Sequence, residues 1–292
     1  MYEPVAICTT LLILGTCVAS YLGFQSRELE EKYIFCPERI LVGKEYYRLV
    51  TSAFLHGGWG HLVWNMVGLY SFGRGLEWSL GKSGFLLVYF GAVVGGNLLS
   101  LYVHRHHIYA AVGASGGVCG VVFAALLLFP GVGVALYFVL PIPGWLFAIG
   151  FIVVSFLAMK NARDNTGHDV HLGGAIVGLL IAAALRPEAV HDNWKVFLLV
   201  LIPAVLVLFY LWFNPLFLPV ASFLGHRFRA KRRPARRSGY EPTPAQVDAI
   251  LEKVTKAGVH SLTPAERSLL EQASGKYRRR AESRKPKSGL PI

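Results

Sequence analysis

The chain has 292 residues, of which 54% are hydrophobic and only 16% charged, and its mean hydropathy is positive. That excludes a soluble domain of ordinary composition, in which about a quarter of residues are charged, and the sequence reads as an all-α polytopic membrane protein. Formal net charge is +12, but residues 226–292 hold 17 Lys/Arg against 6 Asp/Glu, which leaves a balance of only +1 for residues 1–225. The basicity belongs to a tail. Such a tail suits the cytoplasmic side of a bilayer, against anionic lipid. No nucleic-acid-binding motif accompanies it, so no nucleic-acid partner is expected.

In chain order, the apolar run 5–24 is a first span. Met1 to Val5 lacks a basic n-region, so a retained span is expected rather than a cleaved signal peptide. Residues 25–50 form a long loop with charges of both signs, and its Tyr33, Phe35, Tyr46 and Tyr47 suit headgroup depth. Span two covers about 53–72 and is expected to turn at Gly73-Arg74-Gly75-Leu76-Glu77, with Arg74 and Lys82 on the cytoplasmic side. Span three covers about 84–103, before the polar His104-Arg105-His106-His107. Span four runs from Ser115 to Pro130-Gly131, and a short apolar piece, 132–140, is broken by Pro141 and Pro143. Span five covers 144–159, a polar loop 160–169, and span six 170–185.

A seventh apolar run, 196–213, is long enough to cross again. If the first terminus and the basic tail both lie in the cytoplasm, the number of crossings is even. Pro203, Pro215 and Pro219 offer the alternative of a kinked stretch, 195–224, that forms a shallow hairpin or lies in the interface. The organisation expected is therefore a core at 1–190, an additional apolar segment at 191–225, a basic linker at 226–242 and a small helical tail at 243–292. In that tail Thr243-Pro244-Ala245-Gln246 and Thr263-Pro264-Ala265-Glu266 each read as a helix start with a capping-box partner. Two helices, about 244–257 and 264–276, would pair through Val247, Ile250, Leu251 and Val254 against Leu269 and Leu270. Such a pair suits an interaction module whose partner the sequence does not name.

Chemistry concentrates on three spans. A serine in a membrane helix ordinarily bonds back to its own carbonyls; Ser115, roughly 9 Å inside an apolar segment, is set apart by His171 at the mouth of span six. Gly116, Gly120 and Ala124 on one span, and Gly174 and Gly178 on the other, form small faces that let backbones approach. Packed together, they bring Ser115 and His171 to the same end of one contact. A serine and a histidine in hydrogen-bond reach make an activated nucleophile. No acidic third member has a spacing that forces it onto the imidazole, although Asp164, His168 and Asp169 are near in sequence. Span two adds His56, His61 and Asn65, the last two on one helix face, where polar groups at membrane depth carry function or glue the bundle. Oxyanion donors at hand are the Ser115 amide, Asn65 and a His61 ring nitrogen. The four cysteines, Cys8, Cys17, Cys36 and Cys119, have neither metal-ligand nor disulfide spacing and read as packing residues.

His56-x4-His61-x3-Asn65, Gly113-Ala114-Ser115-Gly116 and His171-x2-Gly174-x3-Gly178, in this order on spans two, four and six, resemble the rhomboid family of intramembrane serine proteases. The resemblance covers about residues 40–186. Tyr47-Arg48 resembles that family's Trp-Arg loop motif, and Gly75-Leu76-Glu77 the turn after span two. The tail is similar to C-terminal extensions of some bacterial relatives. What the resemblance implies is a six-helix rhomboid bundle with Ser115 as nucleophile and His171 as general base. His61, Asn65 and the Ser115 amide would form the oxyanion hole, His56 would support them, and Gly113 would free the backbone before the nucleophile. The implied reaction is hydrolysis of a peptide bond in or beside a transmembrane helix of a substrate protein, with no metal and no cofactor. Loop 160–169 and span five would be the gate. The implied setting is a bacterial inner membrane. Many relatives stack an aromatic residue on the imidazole from four positions after the serine; here that position is Cys119, so either another ring, such as Phe123 or Trp64, supports His171, or the imidazole is held more loosely. A catalytically silent rhomboid-like module that escorts membrane clients is the alternative, and a transporter lacks the repeated half it would need.

Overall fold

Backbone groups in hydrocarbon must find partners within their own segment, and the apolar runs accordingly fold as helices. The computed structural model describes residues 5–105, 109–136, 140–161, 167–213 and 244–257. Two units separate, Met1–Ala230 and Lys231–Ile292. In the first, α1 (Ile7–Gln25) is followed by short loop helices α2 (Arg27–Tyr33), α3 (Pro37–Leu41) and α4 (Arg48–Thr51) and a 3₁₀ turn, Ser52–Phe54. Then come α5 (Trp59–His104), α6 (Ser115–Leu128), a ribbon of β1 (Gly133–Leu136) and β2 (Leu140–Pro143), α7 (Gly144–Asn161), α8 (His168–Leu185), α9 (Pro187–Asp192) and α10 (Trp194–Phe213). The protein is an all-α polytopic membrane protein, departing from that among the described residues in the antiparallel ribbon and in an isolated β-bridge between Phe35 and Ala111.

Helix α5 has 46 residues, about 69 Å at 1.5 Å per residue and twice the thickness of a bilayer core. Gly81, at φ +74°, breaks it and turns the chain back. Both arms consequently line α6: Gly68 before the break faces Val118, and Tyr89 and Val93 after it face Gly117. The turn expected at Gly73–Glu77 is thus corrected to Gly81. Gly73 serves closeness instead, since a Cβ there would meet the Thr9 methyl at 3.0 Å. Glu77 fastens the same crossing, its carboxylate accepting from Cys8 N at 2.9 Å and from Thr9 N and Thr9 Oγ1 at 2.8 Å each. Those amides belong to the open first turn of α1, so Glu77 caps that helix from a neighbour.

Span two also begins later than expected, at Trp59 rather than 53. The 3₁₀ turn and an extended Leu55 intervene and carry His56 off the helix. The loop before it is held by Arg48, which is fully buried. Its Nε donates to Glu45 Oε2 at 2.6 Å, and its Nη1 to the carbonyls of Glu31 and Ile34 at 3.0 and 2.7 Å. Asn97 Nδ2, from the second arm of α5, donates to Leu49 O at 2.7 Å.

Helix α10 runs unbroken through Pro203 for 20 residues, about 30 Å, so the hairpin alternative is set aside for 194–213. Its start lies where Asn193 Nδ2 donates to Leu127 O at the end of α6. Its far end lies where Trp212 stacks on Tyr102 at 5.6 Å and Tyr102 Oη donates to Trp212 O at 3.2 Å. The start shares a face with the α1 N-terminus, with Gly81 and with Arg186, which donates to Ser79 O. The end shares the opposite face with Ser115 and His104. Ile7 and Phe213 therefore lie at opposite ends of the helix bundle.

In the second unit α11 (Pro244–Ala257) agrees with the first expected tail helix, with Ile250 buried and Leu251 about half exposed. The second expected helix, 264–276, lies outside the described residues, as do Pro215, Pro219 and the basic linker.

Candidate active site

Ser115 is the first residue of α6. Fourteen residues reach about 21 Å, short of an ~30 Å hydrocarbon core, and the serine heads the helix rather than lying within it. The glycine faces decide what stands opposite. A Cβ on Gly174 would lie 2.1 Å from Gly116 O, and one on Gly178 would lie 2.3 Å from Gly120 Cα, so α6 and α8 touch backbone to backbone. That contact sets His171 Nε2 2.7 Å from Ser115 Oγ. The second arm of α5 joins the junction from the other side, where a Cβ on Gly96 would meet Val170 O at 2.4 Å.

The residue before Ala114 cannot carry a side chain without strain. Gly113 has φ +142°, and its N–H donates to Ser52 O at 3.0 Å. A Cβ there would approach His61 Cε1 at 2.7 Å, His61 Nε2 at 3.0 Å and Ser115 Oγ at 3.5 Å. The vacant methyl position thus lies between the His61 ring and the hydroxyl. Asn65 is buried on α5, one turn below His61, and its Nδ2 donates to His61 O at 2.9 Å.

His56 reaches the site from outside the helix that was expected to hold it. Ser20 Oγ on α1 donates to Phe54 O at 2.8 Å, so its 2.9 Å contact with His56 Nδ1 makes that nitrogen the donor. His56 Nε2 is then the acceptor for Ala114 N at 3.3 Å. The ring links α1 to the peptide just before the serine, and packs edge-on against His61 at 4.9 Å between centroids.

Asp169 turns away from His171. Two residues apart on a helix, side chains point to nearly opposite sides, and Asp169 Oδ2 lies 3.2 Å from His104 Nε2. His104 stacks on Tyr109 at 3.7 Å and 5°. His168 instead lies edge-on to His171, 5.8 Å away at 78°. A second ring near His171 is Phe151 of α7, 6.2 Å from the imidazole and tilted by 33°. Of the two rings named from the sequence, Phe123 packs edge-on against Phe151 at 5.5 Å, and Trp64 is 54% exposed. Phe151, Asn97 and Ser20 were missed. For Asn97 a signal existed, an amide within an apolar run, whereas a phenylalanine among many gives none.

Fold and site first define a class: a polytopic membrane protein with a serine–histidine pair at the end of a glycine-lined helix contact. The sequence pattern described as Rhomboid domain matches residues 43–188, half of the chain, and the chain belongs to the rhomboid family. RHOMBOID-like protein 12, mitochondrial, of Arabidopsis thaliana is 31% identical over 159 residues, 48% of this chain and 46% of that protein. Rhomboid protein 1, mitochondrial, of Saccharomyces cerevisiae is 32% identical over 178 residues, 58% of this chain and 50% of that one. Rhomboid protease GluP of Bacillus subtilis is 34% identical over 141 residues, 48% of this chain and 26% of that protein. The chain thus spans about half the length, or less, of these relatives. Residues 243–276, the tail segment, match a Family of unknown function (DUF6576).

Proposed function

We propose that the protein is an intramembrane serine endopeptidase that uses Ser115 and His171 as a dyad. The observation that carries this is the 2.7 Å contact between Ser115 Oγ and His171 Nε2. Neutral His171 accepts the hydroxyl proton at Nε2 as Oγ attacks the scissile carbonyl, then delivers it to the leaving amine; water repeats the sequence to release the acyl group. The negative oxygen that develops is met by the Ser115 amide, His61 and Asn65, of which the His61 ring lies beside the space left by Gly113. His56 orients the Ala114 peptide from behind. The chemistry needs no metal or cofactor.

Substrates are transmembrane proteins whose helices carry small or helix-breaking residues near the cleaved bond, because an intact helix hides its carbonyls. The proposal places residues 1–190 as the protease core, 191–225 as an added membrane segment, 226–242 as a basic linker and 243–292 as a separate helical module. It also places the chain in a bacterial inner membrane, with the basic linker on the cytoplasmic side by the positive-inside rule. A reporter fused after Arg237 tests that side.

The central test uses membranes holding wild type, Ser115→Ala, His171→Ala or Asn65→Ala with a reporter transmembrane substrate, together with a fluorophosphonate probe. Cleavage and labelling of Ser115 are expected in wild type and absent from the first two variants. Cleavage undiminished in Ser115→Ala sinks the proposal. A silent escort protein would show client binding without labelling.

A further inference from the structure

We propose that Phe151 is the positioning residue for the His171 imidazole, so that the ring supporting the general base comes from α7 and not from the helix that carries the nucleophile. This rests on the dyad reading above. The centroid separation of 6.2 Å falls within the range in which aromatic rings attract one another, and Phe151 is itself held on two sides. Phe123, buried on α6, meets it at 5.5 Å and 63°, and Phe147, one turn earlier on α7, at 6.0 Å and 32°. His168 also meets the imidazole, edge-on at 5.8 Å.

The sequence around Ser115 explains why a ring from elsewhere is needed. Cys119 stands one turn along α6 from the serine and is short. A thiol there supplies no ring, and the phenyl ring of Phe151 stands 6.2 Å from the imidazole. The face also gains value during the reaction. Once His171 holds the serine proton it is a cation, and a ring face beside a cation in a water-poor site stabilises it.

The placement has a mechanical consequence. Helix α7 leans on α10 through Phe156 and Tyr210, 5.2 Å apart and edge to face. Its position is therefore set partly by the seventh rod, and Phe151 transmits that position to His171. Helix α7 acts as a support for the base as well as a wall of the site.

The test uses the full-length chain in bilayer vesicles. It reads two quantities: the rate at which a fluorophosphonate labels Ser115, and kcat and KM for a reporter transmembrane substrate. Phe151→Leu keeps apolar bulk and removes the ring. It is expected to lower labelling rate and kcat together by about tenfold, with KM within about twofold. Phe151→Trp, which keeps a ring, stays within about twofold of wild type. Rates are taken per folded molecule, and Phe151→Met supplies a second ringless side chain if Phe151→Leu does not fold. Unchanged labelling and kcat in the ringless variants overturn the inference, as does a rise in KM alone. If wild type itself is not labelled at Ser115, the dyad reading falls and takes this inference with it. If wild type is labelled and the ringless variants match it, only the inference falls.

Discussion

Gly174→Ala tests the contact on which the site depends. The added Cβ would lie 2.1 Å from Gly116 O, 2.7 Å from Gly116 C and 2.9 Å from Gly116 Cα. All three are backbone atoms, so no side chain can rotate aside. Ordinary contact begins at 3.4 Å, so α6 and α8 must part locally by about 1.3 Å, a displacement that a close-packed interior resists. His171 lies one turn from Gly174 on the same rod, and Ser115 adjoins Gly116. Most of the separation therefore appears in the 2.7 Å Ser115–His171 contact, stretching it to about 4 Å, beyond hydrogen-bond reach. A misplacement of that size costs about 10²-fold in rate, and overpacking costs about 1–3 kcal/mol of stability. The assay is fluorophosphonate labelling of Ser115 in membranes, with cleavage of a reporter transmembrane substrate and an unfolding midpoint measured in parallel. Gly150→Ala is the control, since a Cβ there meets nothing within 4 Å, and it should match wild type. A folded Gly174→Ala protein that labels and cleaves at the wild-type rate would refute the reasoning, because the two helices would then part without separating the pair.

Removing the carboxylate in Glu77→Ala strips three hydrogen bonds from the start of α1 and should lower unfolding stability by about 2–4 kcal/mol; an unchanged unfolding midpoint would dismiss that cap. Glu45 is held below the usual carboxylate range by hydrogen bonds from Arg48 and then from the Tyr47 hydroxyl. Its contribution is present above that range and is lost as pH falls through the depressed value. The stability difference between wild type and Glu45→Gln should accordingly shrink below about pH 4, and a difference that grows on acidification would contradict the assignment. In a background without native cysteines, Asp192→Cys and Phe213→Cys should react with an impermeant reagent from opposite sides of the membrane, Phe213→Cys from the same side as Glu38→Cys. Labelling of both from one side would show that α10 does not cross.

Much of the site is local information. Ser115, His171, His61 and Asn65 are polar residues at membrane depth, where each must be paired or functional, and the four-residue glycine intervals on spans four and six describe a face without any structure. Span existence was equally legible, because hydrocarbon permits little but helices. Boundaries were less so. Gly73 and Gly75 look like turn residues, and so does Gly81. The choice fell to Gly81 because Thr9 of α1 packs over Gly73 and Glu77 binds the α1 amides, a pairing 68 residues apart. His56 looked helical until Ser20 and Ala114 pulled it away.

What the sequence determined by itself was membrane residence and a short set of candidate polar residues, since composition and the placement of a few polar groups in apolar runs are properties of single segments. The tertiary structure alone decided that Phe151 stands near His171, that Asp169 meets His104, and that the end of α10 meets Tyr102. Each of these is a contact between segments that carry no mark of one another. Phe151 and Phe123 are alike as residues; α7 lies against α8 in such a way that the first reaches the imidazole and the second supports it from behind.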